Sequence, residues 1–307
     1  PWVSDVFAFS PRVDRVISYE KKGRHKGIRG MLRLAKELRQ ENFDCAILLQ
    51  KAFEAAFITW MARIPVRAGY PTDGRGLLLT HGVDKALEVV KKHEIHHYQR
   101  IMLGLGLRPA VNELELFLPG DQIDAIKARV SAMGGFTVGS LPLIGFNPGA
   151  AFGPAKRWPA EKYAELARMI GRNPQARIVL FGSEADRATC TEIIARSGPV
   201  APRMLNLAGA TSLIEAMALI GECDVFVTND SGLMHVAAAL HTPLVAIFGS
   251  TDHIATGPYA DNAVVIRKPM PCSPCKKTHC LEKHFRCMQL ITSDEVYTAV
   301  NTILEER

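Results

Sequence analysis

Two loops in this chain carry the residue types that grip a diphosphate. One begins at Asn147-Pro148-Gly149-Ala150 and runs through Phe152 and Gly153 to the adjacent cations Lys156 and Arg157. The other is Asn229-Asp230-Ser231-Gly232-Leu233, with His235 one turn further on. Gly232 lets a ligand approach the backbone closely, Asp230 and Ser231 are of the types that cap helices, and the unpaired N–H groups of a first helical turn attract an anion. Taken alone, this second loop also fits an ordinary capped helix. The first loop tips the balance, because loops at the carboxyl ends of two parallel strands converge on one crevice. A nucleoside diphosphate is the occupant that two such loops suit.

The surrounding elements must hold those loops in register. An apolar run from Cys223 to Val227 leads into the second loop, an alanine-rich helix follows, and Pro243 to Phe248 makes the next strand. That is a βαβ unit. Leu143 to Asn147 is a strand leading into the first loop, followed by a helix over Ala160 to Ile170, a strand over Ala176 to Phe181, a helix over Glu184 to Ala195, a short strand near Met204 and a helix over Ser212 to Ile220. Earlier in the chain, Ile28, Met31, Leu32, Leu34, Ala35 and Leu38 recur at helical spacing. Phe43 to Leu49 reads as a buried strand, Ala52 to Ala62 as a helix, Val66 to Gly69 as a strand and Arg75 to Leu79 as a turn. A helical pattern over Val83 to Gly106, a strand over Glu113 to Leu118 and a helix over Asp121 to Ala132 complete the first half. The alternation predicts an α/β protein with parallel sheets. The glycine-rich stretch 133–142 is the best linker, which gives two domains, 1–136 and 137–307.

A length of 307 residues suits two domains with real cores, and 22% charged with 48% apolar residues is a globular composition. No apolar run reaches the roughly 18 residues of a membrane span. The formal charge is +6, with lysines and arginines spread rather than blocked, except in the locally basic segment 12–33. That segment is either a surface for an anionic partner or a solvated helix face. Seven cysteines, an odd number, argue against a secreted disulfide scaffold and for the cytoplasm. Cys272, Cys275, Cys280 and Cys287 follow a C-x2-C-x4-C-x6-C order, which suits zinc or an iron–sulfur cluster, while the basic residues among them suit an anion. His93 and His97 are four apart but lack the acidic residue of the HExxH order, and are read as surface histidines. Because the chain opens at Pro1 in what reads as the middle of a domain, further residues are expected upstream.

The string NDSGLMHVAAAL..PLVAIFGSTD, the loop NPGA.......KRWP and the tail CSPC....C......RCM together resemble the bacterial ADP-heptose:lipopolysaccharide heptosyltransferases, glycosyltransferase family nine. The tail is most similar to the heptosyltransferase II branch, and LR...FDCAILL and IPVRAGY resemble the family's first domain, so the likeness covers essentially the whole chain. It implies a GT-B fold, two Rossmann-like domains facing a central cleft, with the acceptor on the first and the donor on the second. The C-terminal helix is then expected to pack back on the first domain. It also implies inverting, metal-independent transfer of heptose from ADP-heptose to the inner core of lipopolysaccharide, a heptosyl-Kdo-lipid A acceptor, at the cytoplasmic face of the inner membrane. Neither a cofactor, a catalytic metal nor a nucleic-acid partner is expected.

Under that resemblance Lys156 stabilises the leaving ADP, and the donor lies among Asn147, Gly149, Ala150, Glu184, Asp230, Ser231, Gly232, Leu233 and His235. Glu184 is placed for a ribose hydroxyl. Met217 either flanks adenine or belongs to the core. Lys51, Arg67 and Arg75, at strand ends of the first domain, are the expected acceptor cations. The family's first strand and turn, with the Gly-Asp pair bearing the base, do not occur in this sequence, so the base is expected upstream of Pro1. Two alternatives stand beside this reading: a GT-B transferase for another nucleotide sugar, and a non-catalytic protein binding a nucleotide sugar or a metal cluster.

Overall fold

The structure, a computed structural model, describes residues 4–84, 91–108, 113–134 and 136–306. The chain divides into two compact units, Pro1–Ser4 with Asp14–Asn112, and Asp5–Val13 with Glu113–Arg307. The first contains α1 (Gly27–Gln40), β1 (Cys45–Leu48), α2 (Phe53–Met61), β2 (Val66–Gly69), β3 (His81–Gly82) and α3 (Glu94–Gly104). Its three strands are parallel, in the order β1-β2-β3. Leu34 and Ala35 of α1 pack against Ile58 of α2 and the following Ala62 and Ile64. The strand expected over Phe43–Leu49 is shorter and less buried than its apolar run suggests, with Phe43 43% and Leu49 50% exposed. Of the helix expected over Val83–Gly106, α3 is described, whereas residues 85–90 lie outside the described residues. His93 is its N-cap, accepting the Ile95 amide at 3.2 Å.

The second unit contains α4 (Gly120–Gly134), β4 (Leu143–Asn147), α5 (Ala160–Ile170), β5 (Arg177–Leu180), α6 (Arg187–Arg196), β6 (Met204–Asn206), α7 (Leu213–Gly221), β7 (Val225–Asn229), α8 (Gly232–Ala239), β8 (Leu244–Phe248), α9 (His253–Thr256), β9 (Ala263–Arg267), α10 (Arg286–Gln289) and α11 (Ser293–Glu305). Six parallel strands lie in the order β6-β5-β4-β7-β8-β9. Side chains alternate across the sheet, so each strand feeds two cores. Ile144, Phe146, Ile178, Leu180, Val225 and Val227 face α5, α6 and α11, while Leu143, Val179, Phe226, Leu244 and Ala246 face α4, α7 and α8. Burial of each large side chain contributes roughly 1.5–3 kcal/mol, and both faces collect many.

Several expectations are corrected here. The 133–142 stretch is not the domain boundary. Ile126 and Val130 of α4 are buried with Phe136 and Val138 in the core against α7, so this segment is an internal connection of the second unit. Val296 and Val300 of α11 are fully buried against α5 in the second unit's own core. Glu113–Leu118 is not a strand; Leu116 and Leu118 pack on the core without strand pairing. β9 went unforeseen, since this edge strand is only half-buried.

Candidate active site

The strand order reverses between β4 and β7: after β4 the chain steps outward to β5 and β6, then returns to β7 and moves the other way. The carboxyl ends of two strands at such a reversal leave a crevice between their loops. The two loops singled out from sequence are the loops after β4 and β7, and polar side chains tie them together. Asn147 Nδ2 donates to Thr228 Oγ1 at 2.9 Å and Ser231 Oγ at 2.7 Å. Asn229 Nδ2 donates to the Pro148 carbonyl at 2.8 Å, and its Oδ1 accepts the Trp158 amide at 3.1 Å. Asn147 and Asn229 are both buried, so these bonds also satisfy groups that would otherwise be costly there.

Lys156 and Asp230 meet across the crevice. The Lys156 ammonium lies 2.6 Å from Asp230 Oδ2, and the two side chains are only 12% and 6% exposed. Thr251 Oγ1, in the loop after β8, donates to the same oxygen at 2.6 Å. The ammonium also lies 4.6 Å from the centre of the Phe152 ring. Ser231 is the N-cap of α8, its Oγ accepting the Met234 amide at 3.4 Å, whereas Asp230 is occupied by Lys156 and caps nothing. That leaves the amides of Gly232 and Leu233, which a helix cannot pair internally, at the positive end of α8. A Cβ at Gly232 would meet nothing within 4 Å, so space outside the protein's own packing opens at this turn. His235 is half-buried one turn along α8.

Gly149 has a different reason to be glycine: a Cβ there would lie 2.7 Å from the Asp186 carboxylate. Asp186 accepts from Ser183 Oγ at 2.6 Å and from Arg157 at 3.1 Å, fastening the β4 loop to the loop after β5. Ala150 is buried beside it. Glu184 stands in that β5 loop, largely exposed, with both carboxylate oxygens on Arg187 at 2.8 and 2.7 Å. The guanidinium contact holds its carboxyl below the usual range. Met217 is fully buried in the core and belongs there.

The cysteine-bearing tail packs on the loop after β4 and on the loop after β8. The Thr278 carbonyl accepts the Ala155 amide at 3.1 Å, and the Lys276 amide donates to the Ser250 carbonyl at 2.7 Å. Gly153, at φ +145°, passes so near Thr278 that a Cβ would sit 2.5 Å from its carbonyl oxygen. Burial and the neighbouring Cys272, Cys275 and Cys280 push the Cys287 thiol up. Among the described residues no group of three His, Cys, Asp or Glu side chains is arranged to hold a metal ion.

The three first-unit cations differ in fate. Arg75 is fully buried, its Nε donating to the Tyr70 carbonyl at 2.8 Å and its Nη1 to the Gln50 and Ala52 carbonyls. It closes the interior of the unit and is not a surface for an acceptor. Arg67 donates to the Leu78 carbonyl at 2.7 Å and to the Ile64 carbonyl. Lys51 is half-buried, 3.6 Å from Glu94. Asp186 and Thr251 were missed in sequence; their only signal was a place just beyond a strand's carboxyl end.

Two α/β units with parallel sheets, one bearing a diphosphate-type crevice at its strand reversal, are the architecture of GT-B glycosyltransferases. The chain belongs to glycosyltransferase family 9, the heptosyltransferases, whose family model matches residues 31–286. It is 36% identical over 281 residues to lipopolysaccharide heptosyltransferase 2 of Salmonella typhimurium, covering 89% of this chain and 79% of that protein. The solved ADP-heptose lipopolysaccharide heptosyltransferase II of E. coli superposes with a TM-score of 0.81 at 31% identity, covering 99% of this chain and 87% of that one. A family 9 glycosyltransferase from Veillonella parvula superposes with a TM-score of 0.87 at 26% identity, covering 99% and 86%.

Proposed function

We propose that the chain transfers a heptosyl unit from ADP-heptose to a heptosyl-Kdo-lipid A inner core, with inversion at the anomeric carbon and without a metal. The observation that carries this is the meeting of Lys156, Asp230 and the start of α8 at the strand reversal. In the reading, the ADP diphosphate takes the place beside Lys156 that Asp230 now fills. The amides of Gly232 and Leu233 hold the phosphate oxygens, and Asn147 with Gly149 and Ala150 shapes the opposite wall. As the glycosidic bond breaks, negative charge grows on the leaving phosphate, and Lys156 with the α8 dipole lies in place to stabilise it. Asp230, released from Lys156 but still bound by Thr251, is available to a donor hydroxyl, and Glu184 to the ribose. Lys51, half-buried beside Glu94, is the first-unit cation assigned to the anionic acceptor. Its lipid places the work at the cytoplasmic face of the inner membrane; no helix of the described residues is long and apolar enough to cross a membrane.

The test pairs turnover with binding. ADP-heptose should outperform ADP-, UDP- and GDP-linked hexoses as donor. Lys156→Ala should lower kcat/KM by about two to three powers of ten, the usual loss for one stabilising donor, and should weaken ADP binding measured by calorimetry. Lys156→Arg, which keeps the charge, controls for the stability lost when buried Asp230 is left unpaired. Equal use of unrelated nucleotide sugars, or ADP affinity indifferent to Lys156, overturns the reading.

A further inference from the structure

The excess positive charge of the chain sits in one place. Residues 20–40 hold eight lysines and arginines against Glu20 and Glu37, an excess of six that equals the formal charge of all 307 residues. Both acids are engaged: Glu20 with Arg24 at 3.2 Å, and Glu37 with Arg24 and His25. Lys21 pairs with Glu54 at 2.5 Å. Lys22, Lys26, Arg29, Arg33, Lys36 and Arg39 are exposed and have no carboxylate partner among the described residues.

These cations defy the preferences of the helix that carries them. Lys26 is the N-cap of α1 and supplies no capping hydrogen bond, and the first turn holds no acid. The positive end of a helix dipole favours anions there, and Arg29 and Arg33, four apart, repel one another. Two apolar side chains share that outward side: Ile28 is 69% and Leu32 40% exposed, also four apart. Leu34 and Ala35 meanwhile bind the opposite face of α1 to α2. A solvent-facing helix that mixes cations with exposed aliphatic residues, and breaks local electrostatic rules to do so, matches an anionic bilayer surface, where lipid headgroups supply the missing negative charge and the acyl boundary takes the aliphatic pair.

We infer that the outer face of α1, centred on Ile28, Arg29, Leu32 and Arg33, is the surface by which this protein docks on an anionic lipid bilayer. The inference rests on the proposed function only for choosing a bilayer over other anionic surfaces. The charge and exposure are independent of it.

Flotation of the full chain with phosphatidylcholine vesicles, with or without phosphatidylglycerol, tests this. The protein should float with the anionic vesicles and not with phosphatidylcholine alone, and salt should weaken the binding. Arg29→Glu with Arg33→Glu should lower the bound fraction by about tenfold or more. Ile28→Gln with Leu32→Gln should also lower it. Lys91→Glu with Lys92→Glu makes the same charge change at exposed residues elsewhere in the unit and should leave binding within about twofold. Arg29→Gln with Arg33→Gln removes the repelling pair, so α1 gains stability, and its binding should still fall. Equal losses for the 29/33 and 91/92 reversals, equal flotation with both lipids, or no flotation would each overturn the inference. Heptosyl transfer to a delipidated acceptor is measured alongside and should be unchanged in the 29/33 variants. If no protein transfers heptose while the flotation pattern holds, the proposed function falls and the docking surface stands.

Discussion

Asp230 receives Lys156 and Thr251 on a single carboxylate oxygen, so the crevice keeps its cation against its own anion. Under the proposed function, binding a diphosphate would exchange one ion pair for another, so that its affinity would be a difference. Asp230→Asn should free Lys156 and tighten bare ADP by roughly tenfold, equivalent to about 1.4 kcal/mol, while heptosyl transfer falls; calorimetry and turnover on one preparation separate the two effects. Arg75 offers the opposite case. Arg75→Met should lower unfolding free energy by about 1–3 kcal/mol, because buried carbonyls lose their donor, and should leave the KM for acceptor unchanged in the folded protein. Lys156 and Asp230 were legible by residue type and by their loops. Their pairing was not, since 74 positions separate them and only the sheet order makes them neighbours. Arg75 was misread because a cation after a strand looks like surface until the side chains packed over it are known.

At the level of elements, periodicity gave good spans wherever one face is buried. α5 was expected over Ala160–Ile170 and is found there, with Tyr163, Ala164, Leu166, Ala167 and Ile170 buried. The failures fall where tertiary neighbours decide: half-buried β9 has a weak pattern, and the apolar 113–118 stretch found a core but no strand to pair with. α11 begins with a reciprocal cap in which Thr292 accepts the Glu295 amide at 3.2 Å and Glu295 accepts the Thr292 amide at 2.9 Å. Thr292→Ala should cost about 1 kcal/mol in chemical denaturation. Lys268, followed by the Thr292 amide, lowers the Glu295 carboxyl below its ordinary 4.5. The folded value is thus the depressed one, and its contribution is whole above the unfolded value and disappears as pH falls through the folded value. Unfolding midpoints measured down through that acid range should therefore fall less steeply in Glu295→Gln than in the wild type.

Over the whole molecule, stability is unevenly shared. β4, β7 and β8 are buried along their full length, whereas β1 has an exposed end and β3 is exposed throughout. Native-state hydrogen exchange should find its slowest amides in β4, β7 and β8, and exchange in β1 to β3 faster by orders of magnitude; the reverse order would contradict the described cores. The two-unit organisation was legible from the βα rhythm, but its boundary was not. The glycines at 134, 135 and 139 look like a hinge, and only the burial of Ile126 and Val130 reveals that the chain has already entered the second unit.

The loop after β4 is also held from far along the chain. Ala155 leans on the Thr278 carbonyl, and Trp158 and Lys162 both donate to the carbonyl of Ile291, at 3.1 and 2.8 Å. During synthesis, a nascent polypeptide that has emerged as far as Phe248 contains the loops after β4 and β7 yet lacks the strap that fixes the first of them. Under the proposed function, the pocket is therefore fastened only after residues 278–291 have followed both loops out of the ribosome.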